Sequence, residues 1–371
     1  MGTVWRASAL GALALVLTGA CSLPGTGAAK SPSLAASSTR QSSPSANPSV
    51  SPSPVAVTSA FGVLVSPLSS SSYTVSLVGV DGRVIASAQA NTPGTVSCAN
   101  AAAAVVPTPV STSNTRVYFM DALGVVRFLA PNGDQGQATT LPIGPARRSM
   151  FAVSPDDQRI AVIVDDFTST GATTRLYVED LNGGGNHVDA FSESGAYTLW
   201  PTGWHGTNNL VVAKVPACTQ GGGPFSAGPL ELHVVDPRTA VRRFTVGGPT
   251  CVIAGPPSPA GAVCEDTAAL AQANVVSWTG TTSRSLTIPG PVLAYLSPNG
   301  RQVALVASAS TVISDSSQKF AGMTACGWID DTHVFSGGDT QLQPRVGDVT
   351  SGSVVPIAAQ GDCAGRIPGG L

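Results

Sequence analysis

Seven cysteines, three Asp-Asp pairs and four single histidines are the side chains with which this chain could do chemistry. Setting Cys21 aside leaves Cys98, Cys218, Cys251, Cys264, Cys326 and Cys363. Such thiols hold zinc or pair as disulfides. Zinc sites use closely spaced ligands, and no C-x-x-C pair exists here; His187, His205, His233 and His333 are scattered. The even number therefore points to disulfides in an exported protein. Cys251 with Cys264 and Cys326 with Cys363 are the expected local pairs. Cys98 with Cys363 is a rival, since it would join the first and last parts of the fold.

The acidic pairs are Asp156-Asp157, Asp165-Asp166 and Asp330-Asp331. None has the alternating D-x-D-x-D-G spacing of a calcium loop. The first and third read as turn residues, where Asp accepts hydrogen bonds from its own backbone. Asp165-Asp166, in VIVDDFTSTGATTRL, ends a strand beside a polar loop and is the weaker of two readings as a metal site. The runs Gly183–Gly185 and Gly221–Gly223 do not open a helix after a strand, so they do not cradle phosphate. There is no G-x-S-x-G elbow. His205 beside Trp204, and His333 beyond Trp328, read as structural. No catalytic residue, metal or cofactor is expected. Thr219–Gly228, TQGGGPFSAG, is the longest insertion; its Phe225 either anchors a ligand or tucks against Trp204.

The elements that must position these residues begin with an export signal. Met1–Arg6 carries one positive charge, Ala7–Leu17 is apolar, and LTGAC follows. An apolar run of about a dozen residues is too short to span a bilayer. Small residues before a cysteine resemble a bacterial lipoprotein signal over residues 1–20, with Cys21 as the lipidated first mature residue. An ordinary secretory signal cleaved nearby is the alternative. Residues 21–55 are rich in Ser and Pro and nearly free of large apolar residues, so they form a disordered tether. Charged residues make up 11 % of the chain and the net charge is −2, which argues against nucleic acid as a partner.

From residue 56 to 371 one event recurs. SPDDQRIAV at Ser154 returns as SPNGRQVAL at Ser297, and more weakly as SPAGAVCED at Ser258. Each is strand, tight turn, strand. Counterparts lie near Ala60, Asn114, Gly206 and Asp331. A second turn with flanking strands follows each, in LVGVDGRVIAS, FMDALGVVRFL, YVEDLNGGGNHVDAF, HVVDPRTAVRRFTV, VVSWTGTTSRSLTI, TVISDSSQKF and VGDVTSGSVVPIA. Two hairpins per unit give four antiparallel strands. Such units repeating at this spacing predict an all-β protein, a β-propeller of seven blades, with six or eight as alternatives. Trp204 and Trp328 fall at matching places in GWHGTNNLVV and GWIDDTHVFSG. The first unit lacks a strand, which either the tail GDCAGRIPGGL or PVAVTS near Val55 could supply.

The pattern Ser-Pro-Asp/Asn-Gly-x-x-Ile/Val-Ala resembles the repeat of TolB-type and other WD-repeat-like bacterial propellers. It is fullest at Ser154–Ala161 and Ser297–Ala304, and partial at Ser258–Val263. Asp157 departs from the usual glycine and Ala260 from the usual Asp or Asn. The resemblance implies fold; propellers host many functions. Together these readings give an expectation: a lipoprotein on the outer face of the cytoplasmic membrane, or the periplasmic side of an envelope membrane. Its propeller is expected to be a non-catalytic binding or scaffolding module for an envelope protein or cell-wall glycan. The alternative is an enzyme acting on glycans or peptides, which would bring carboxylates and histidine to the central channel. A sensory or accessory subunit of a transporter or secretion system differs only in its partner.

Overall fold

The computed structural model describes residues 57–371 apart from 69, 99–101, 220–230 and 291. The expected signal, Cys21, the tether, Phe225 and Gly221–Gly223 lie outside the described residues. Strands form where β-branched and aromatic residues cluster and stop at Asp, Asn, Gly and Pro. Blade 1 contributes β1 (Phe61–Val65), β2 (Ser72–Val78) and β3 (Val84–Asn91), and β4 (Ala103–Ala104) follows. Blade 2 holds β5 (Val110–Thr112), β6 (Val117–Met120), β7 (Val125–Leu129) and β8 (Gln135–Thr140). Blade 3 holds β9 (Arg147–Val153), β10 (Arg159–Phe167), β11 (Ala172–Asp180) and β12 (Val188–Gly195). Blade 4 has β13 (Tyr197–His205), β14 (Asn209–Pro216), then β15 (Cys218–Thr219) outside the blade, β16 (Glu231–Val235) and β17 (Arg242–Gly247).

Blade 5 is β18 (Cys251–Ile253), β19 (Ala262–Asp266), β20 (Gln272–Val276) and β21 (Thr282–Thr287). Blade 6 is β22 (Leu293–Leu296), β23 (Val303–Ala307), β24 (Ser310–Ile313) and β25 (Lys319–Ala321). Blade 7 is β26 (Ala325–Trp328), β27 (His333–Ser336), β28 (Arg345–Asp348) and β29 (Val354–Pro356), and β30 (Asp362–Ile367) ends the series. Among the described residues these strands make seven four-stranded antiparallel sheets and one two-stranded ribbon, β4 with β15. This is a seven-bladed β-propeller.

Ring closure settles which segment completes blade 1. β30 pairs with β1, Phe61 opposite Ile367 and Val65 opposite Asp362, so the sheet runs β3-β2-β1-β30. Each adjacent pair of blades shares one apolar core, seven cores in all among the described residues. Between blades 3 and 4, for example, Met150, Ile163 and Leu176 meet Trp204, Leu210 and Val212. A lone four-stranded sheet would leave one apolar face wet; the ring covers every face.

The inner strands, β30, β5, β9, β13, β18, β22 and β26, run in one direction. They begin on what we call the upper face and end on the lower. The repeated Ser-Pro turns therefore all lie on the lower face, and those at Ser154 and Ser297 are built alike. The Ser154 hydroxyl accepts from the Arg159 N–H at 2.9 Å, and that of Ser297 from the Gln302 N–H at 3.0 Å. Gly300 has φ 74° and Asp157 takes the same left-handed position at 60°. Asp157 bears that conformation while its carboxylate reaches back to blade 2, accepting from Thr115 at 2.6 Å and Tyr118 at 2.8 Å. The two tryptophans match as the sequence repeat implies. The Trp204 indole donates to the Ala152 carbonyl at 3.0 Å, and that of Trp328 to the Tyr295 carbonyl at 2.7 Å, each on the preceding inner strand.

One turn falls elsewhere than expected. FMDALGVVRFL joins β6 to β7 on the upper face, and the second lower turn of blade 2 is 131–134. Asp121 accepts from the N–H of Leu123 and Val125, so the stretch closes tightly between any two strands. Its residues say that a turn is present and not which pair of strands it joins.

Candidate functional site

The inner strands surround an axial cavity of about 450 Å³. Its wall is largely apolar: Met150, Phe151, Trp200, Tyr295 and Trp328, with Pro109, Pro201, Pro256, Pro257 and Pro298. The charged side chains that line it among the described residues are two arginines, Arg148 and Arg366. Carboxylates and imidazoles, which the enzyme alternative would bring to the axis, are not among those lining residues.

The upper end is roofed by Thr92–Val96 and by the ribbon of β4 and β15. A disulfide joins Cys98 to Cys218 across that ribbon. Beneath it Val96, Ala104 and Ala217 pack on Phe167 and Ala172. The Trp200 indole donates to the Val105 carbonyl at 3.2 Å. Arg148 donates to the Gly94 carbonyl at 2.9 and 2.6 Å, and to the carbonyls of Gly144 and Arg147 at 2.7 and 2.6 Å. Its guanidinium is thus used up in holding the roof, and burial lowers its pKa. At the lower end, Gly369 donates to the Ser113 carbonyl and Leu371 to that of Trp204, both at 2.7 Å. A Cβ at Gly369 would lie 2.5 Å from the Thr112 hydroxyl, so glycine lets the segment lie flat on β5.

Arg366, on β30, is differently placed. Its guanidinium donates to the Ile329 carbonyl at a long 3.4 Å. Burial lowers its pKa, against the attraction of Asp331 and Asp330. Tyr295, on β22, is 8 % exposed, and its hydroxyl donates to no described protein group. Burial raises its pKa.

The remaining candidate residues are structural in their surroundings. The six cysteines form three disulfides: Cys98–Cys218, Cys251–Cys264 and Cys326–Cys363. Both expected local pairs are present. The rival Cys98–Cys363 is overturned, because Cys98 belongs to the roof and Cys363 to an inner strand. Cys326–Cys363 instead ties β26 to β30, so the ring is stapled beside its closure. Asp165 is fully buried between blades 3 and 4, accepting from Thr174 at 2.7 Å and Thr198 at 2.6 Å. Burial pushes its carboxyl up to about 6, opposed by the two threonine hydroxyls. Asp166 points away and pairs with Arg147 at 2.6 Å. Asp330 caps its own turn, accepting from the N–H groups of Thr332 and His333. Asp331 accepts from the Asn299 N–H at 2.9 Å, joining blades 7 and 6. Asp156 accepts from Ser154 within its turn. His205 meets the Leu371 carbonyl at 2.7 Å, and His187 lies beside Glu179. No group of three His, Cys, Asp or Glu among the described residues is placed to hold a metal.

Sequence reasoning passed over Arg148, Tyr295 and Arg366. Each is an isolated residue in its own segment, and only the ring brings them to one axis.

No protein-family model and no curated protein matches the chain. Three solved structures are weakly similar to it. BamB from Moraxella catarrhalis is 15 % identical over 85 % of this chain and 84 % of its own, with a TM-score of 0.38. AztD from Citrobacter koseri is 13 % identical over 83 % of this chain and 97 % of its own, at 0.43. The dihydro-heme d1 dehydrogenase NirN, in complex with DHE, is 14 % identical over 86 % and 79 %, at 0.44. Likeness at these values says nothing of what this chain binds or does; its fold stands on its own strand order.

Proposed function

We propose that this protein is a lipid-anchored, extracytoplasmic binding or scaffolding module whose propeller holds an envelope protein on its upper face. The observation that carries this reading is the placement of exposed apolar side chains. Leu123, Ile143, Tyr197, Val252, Leu270, Leu293 and Leu342 are exposed, and all lie on upper-face turns or strand starts. On the lower-face turns and strand starts the corresponding residues are Val80, Ile85, Val241 and Val354. An apolar surface weighted toward one face supports a protein-binding surface there. Three disulfides fit an oxidising, exported setting. A cell-wall glycan is the other ligand class; it would favour exposed aromatic platforms, and Tyr197 is the exposed aromatic on that face.

The test is photo-cross-linking in the native envelope, with a benzophenone side chain at Leu293 or at Val241, followed by identification of adducts. One dominant protein adduct from position 293 and none from 241 is the expected result. Wall fragments at 293 would shift the reading to glycan binding. The anchor is tested by Cys21→Ala, which should move the protein from the membrane to the soluble fraction.

A further inference from the structure

The axial cavity has a second asymmetry that the upper-face reading does not use. The roof and residues Gly369–Leu371 attach to blades 2 to 4. Tyr295, Trp328 and Arg366 come from the other side, on three successive inner strands, β22, β26 and β30. Trp328 links them: its indole donates to the Tyr295 carbonyl, and its neighbour Ile329 accepts from Arg366. The Tyr295 ring fills the core between blades 6 and 7, a task phenylalanine would do as well. Its hydroxyl makes no hydrogen bond to a described protein group and is not fully enclosed, on a residue that lines the cavity. Arg366 carries five N–H donors and gives one long contact. The Thr92 hydroxyl, also on the wall, is buried without a partner. No carboxylate side chain lines the chamber among the described residues. The two acidic residues that act on Arg366, Asp330 and Asp331, already accept hydrogen bonds from Thr332, His333 and Asn299. The remaining Arg366 N–H groups and the Tyr295 hydroxyl can therefore receive an acceptor from outside. The volume is that of a small-molecule pocket.

We infer that the axial cavity binds a small molecule with an apolar body and an anionic head, the head received by Arg366 and the Tyr295 hydroxyl and the body by Trp328, Met150 and the proline wall. A guanidinium in a water-poor chamber holds an anion through charge-assisted hydrogen bonds, about twice as strong as neutral ones. The apolar wall then selects against fully hydrated inorganic anions. This site does not depend on the upper-face partner.

The test uses two fluorescent probes of nearly equal shape, 8-anilinonaphthalene-1-sulfonate and the neutral N-phenyl-1-naphthylamine, titrated into the folded protein. The sulfonate should bind one-to-one and at least about ten-fold tighter than the neutral probe. Arg366→Gln should erase that preference and leave the neutral probe's affinity unchanged, while Arg366→Lys restores part of it. Tyr295→Phe should weaken the sulfonate several-fold. Arg238→Gln, on an exposed lower turn, should change nothing. Circular dichroism melts of every variant show whether the fold is kept; Tyr295→Phe, which preserves the ring, decides the matter if Arg366→Gln does not fold. Equal binding of both probes, a sulfonate affinity indifferent to Arg366→Gln and Tyr295→Phe, or no binding would overturn the inference. Cross-linking from Leu293 stays unaffected in either case, so the two readings fail separately.

Discussion

On the lower face every Ser-Pro turn spends its polar groups on the ring itself. Asp157 clamps Thr115 and Tyr118 of the blade before it, and Asp331 clamps Asn299. On the upper face the turn aspartates Asp121, Asp266 and Asp339 accept from N–H groups of their own turns, and Leu270 and Leu293 stand 66 % and 55 % exposed. The same four-stranded unit makes both surfaces. The difference follows from strand direction: the tight turn between first and second strands always lands below, so the recurring motif fixes that side. The upper side carries the connections between blades, which are free to vary. One face carries the clamps between blades described above; the other carries more of the exposed apolar side chains of turns and strand starts. The three buried aspartates differ in their surroundings: Asp121, on an upper turn, pairs with Arg127 at 3.4 Å. Asp157, below, has Arg116 beside its partner Tyr118. Asp165, toward the upper face, has two threonines and no cation among its hydrogen-bond partners.

This contrast can be broken by substitution, and the largest effect expected is on binding. Leu270→Arg with Leu342→Arg should abolish the dominant adduct obtained from position 293 in the envelope. Val80→Arg with Val241→Arg on the lower face should leave it intact. Loss of capture in both pairs would mean that the faces do not differ in the way described.

Next in size is a stability effect. Trp204→Ala should cost about 3–5 kcal/mol in urea unfolding, through a cavity in the core of blades 3 and 4 and a lost clamp on Ala152. Trp328→Ala should match it, since the two residues do the same work in their blades. A mild effect at either would show that the repeat is similar in sequence and not in energetics.

The Asp165 carboxyl gives a pH test. Its folded pKa, about 6, lies above its ordinary value of 3.8. The protonated form is therefore favoured in the fold. That contribution is fully present below pH 3.8 and is lost as pH rises through 6. Above it, the buried charge costs about 2–3 kcal/mol. Asp165→Asn should be the more stable protein above pH 6.5, the two converging near pH 4, measured by urea unfolding across pH. An unchanged slope in the variant would place the pH dependence elsewhere. Smallest of all, Leu123→Ser above and Val241→Ser below should each shift stability by no more than about 0.5 kcal/mol. That would show that the apolar side chains of the upper face are not there for folding.

Much of the lower face was legible in the sequence because a tight turn leaves a chemical signature. Asn299-Gly300 and Asp156-Asp157 announce themselves, and the recurrence of that signature dictates the ring. The upper face was not legible in the same way. FMDALGVVRFL reads as a turn in any position. The roof rests on strands of two residues, β4 and β15, whose pairing is carried by the Cys98–Cys218 bond and by no pattern. The paired cysteines 251 and 264 were readable because they flank one hairpin. The cavity was least readable: Tyr295 and Arg366 are 71 residues apart by subtraction, each unremarkable in its own strand.

The way β30 fits into blade 1 has a consequence for how the chain must be made. Phe61 finds its partner Ile367 only 306 residues later by subtraction. Until then β1 presents an open edge to its surroundings, in a chain emerging from its N-terminus. An unpaired edge is where strands of other molecules add. Six blades can assemble in order as they appear, while the first waits for the last. Closure is thus the slow, long-range step expected of high contact order. A propeller of this kind passes its most vulnerable interval before its final strand arrives, and that exposure falls on the edge of β1 rather than on the ring as a whole.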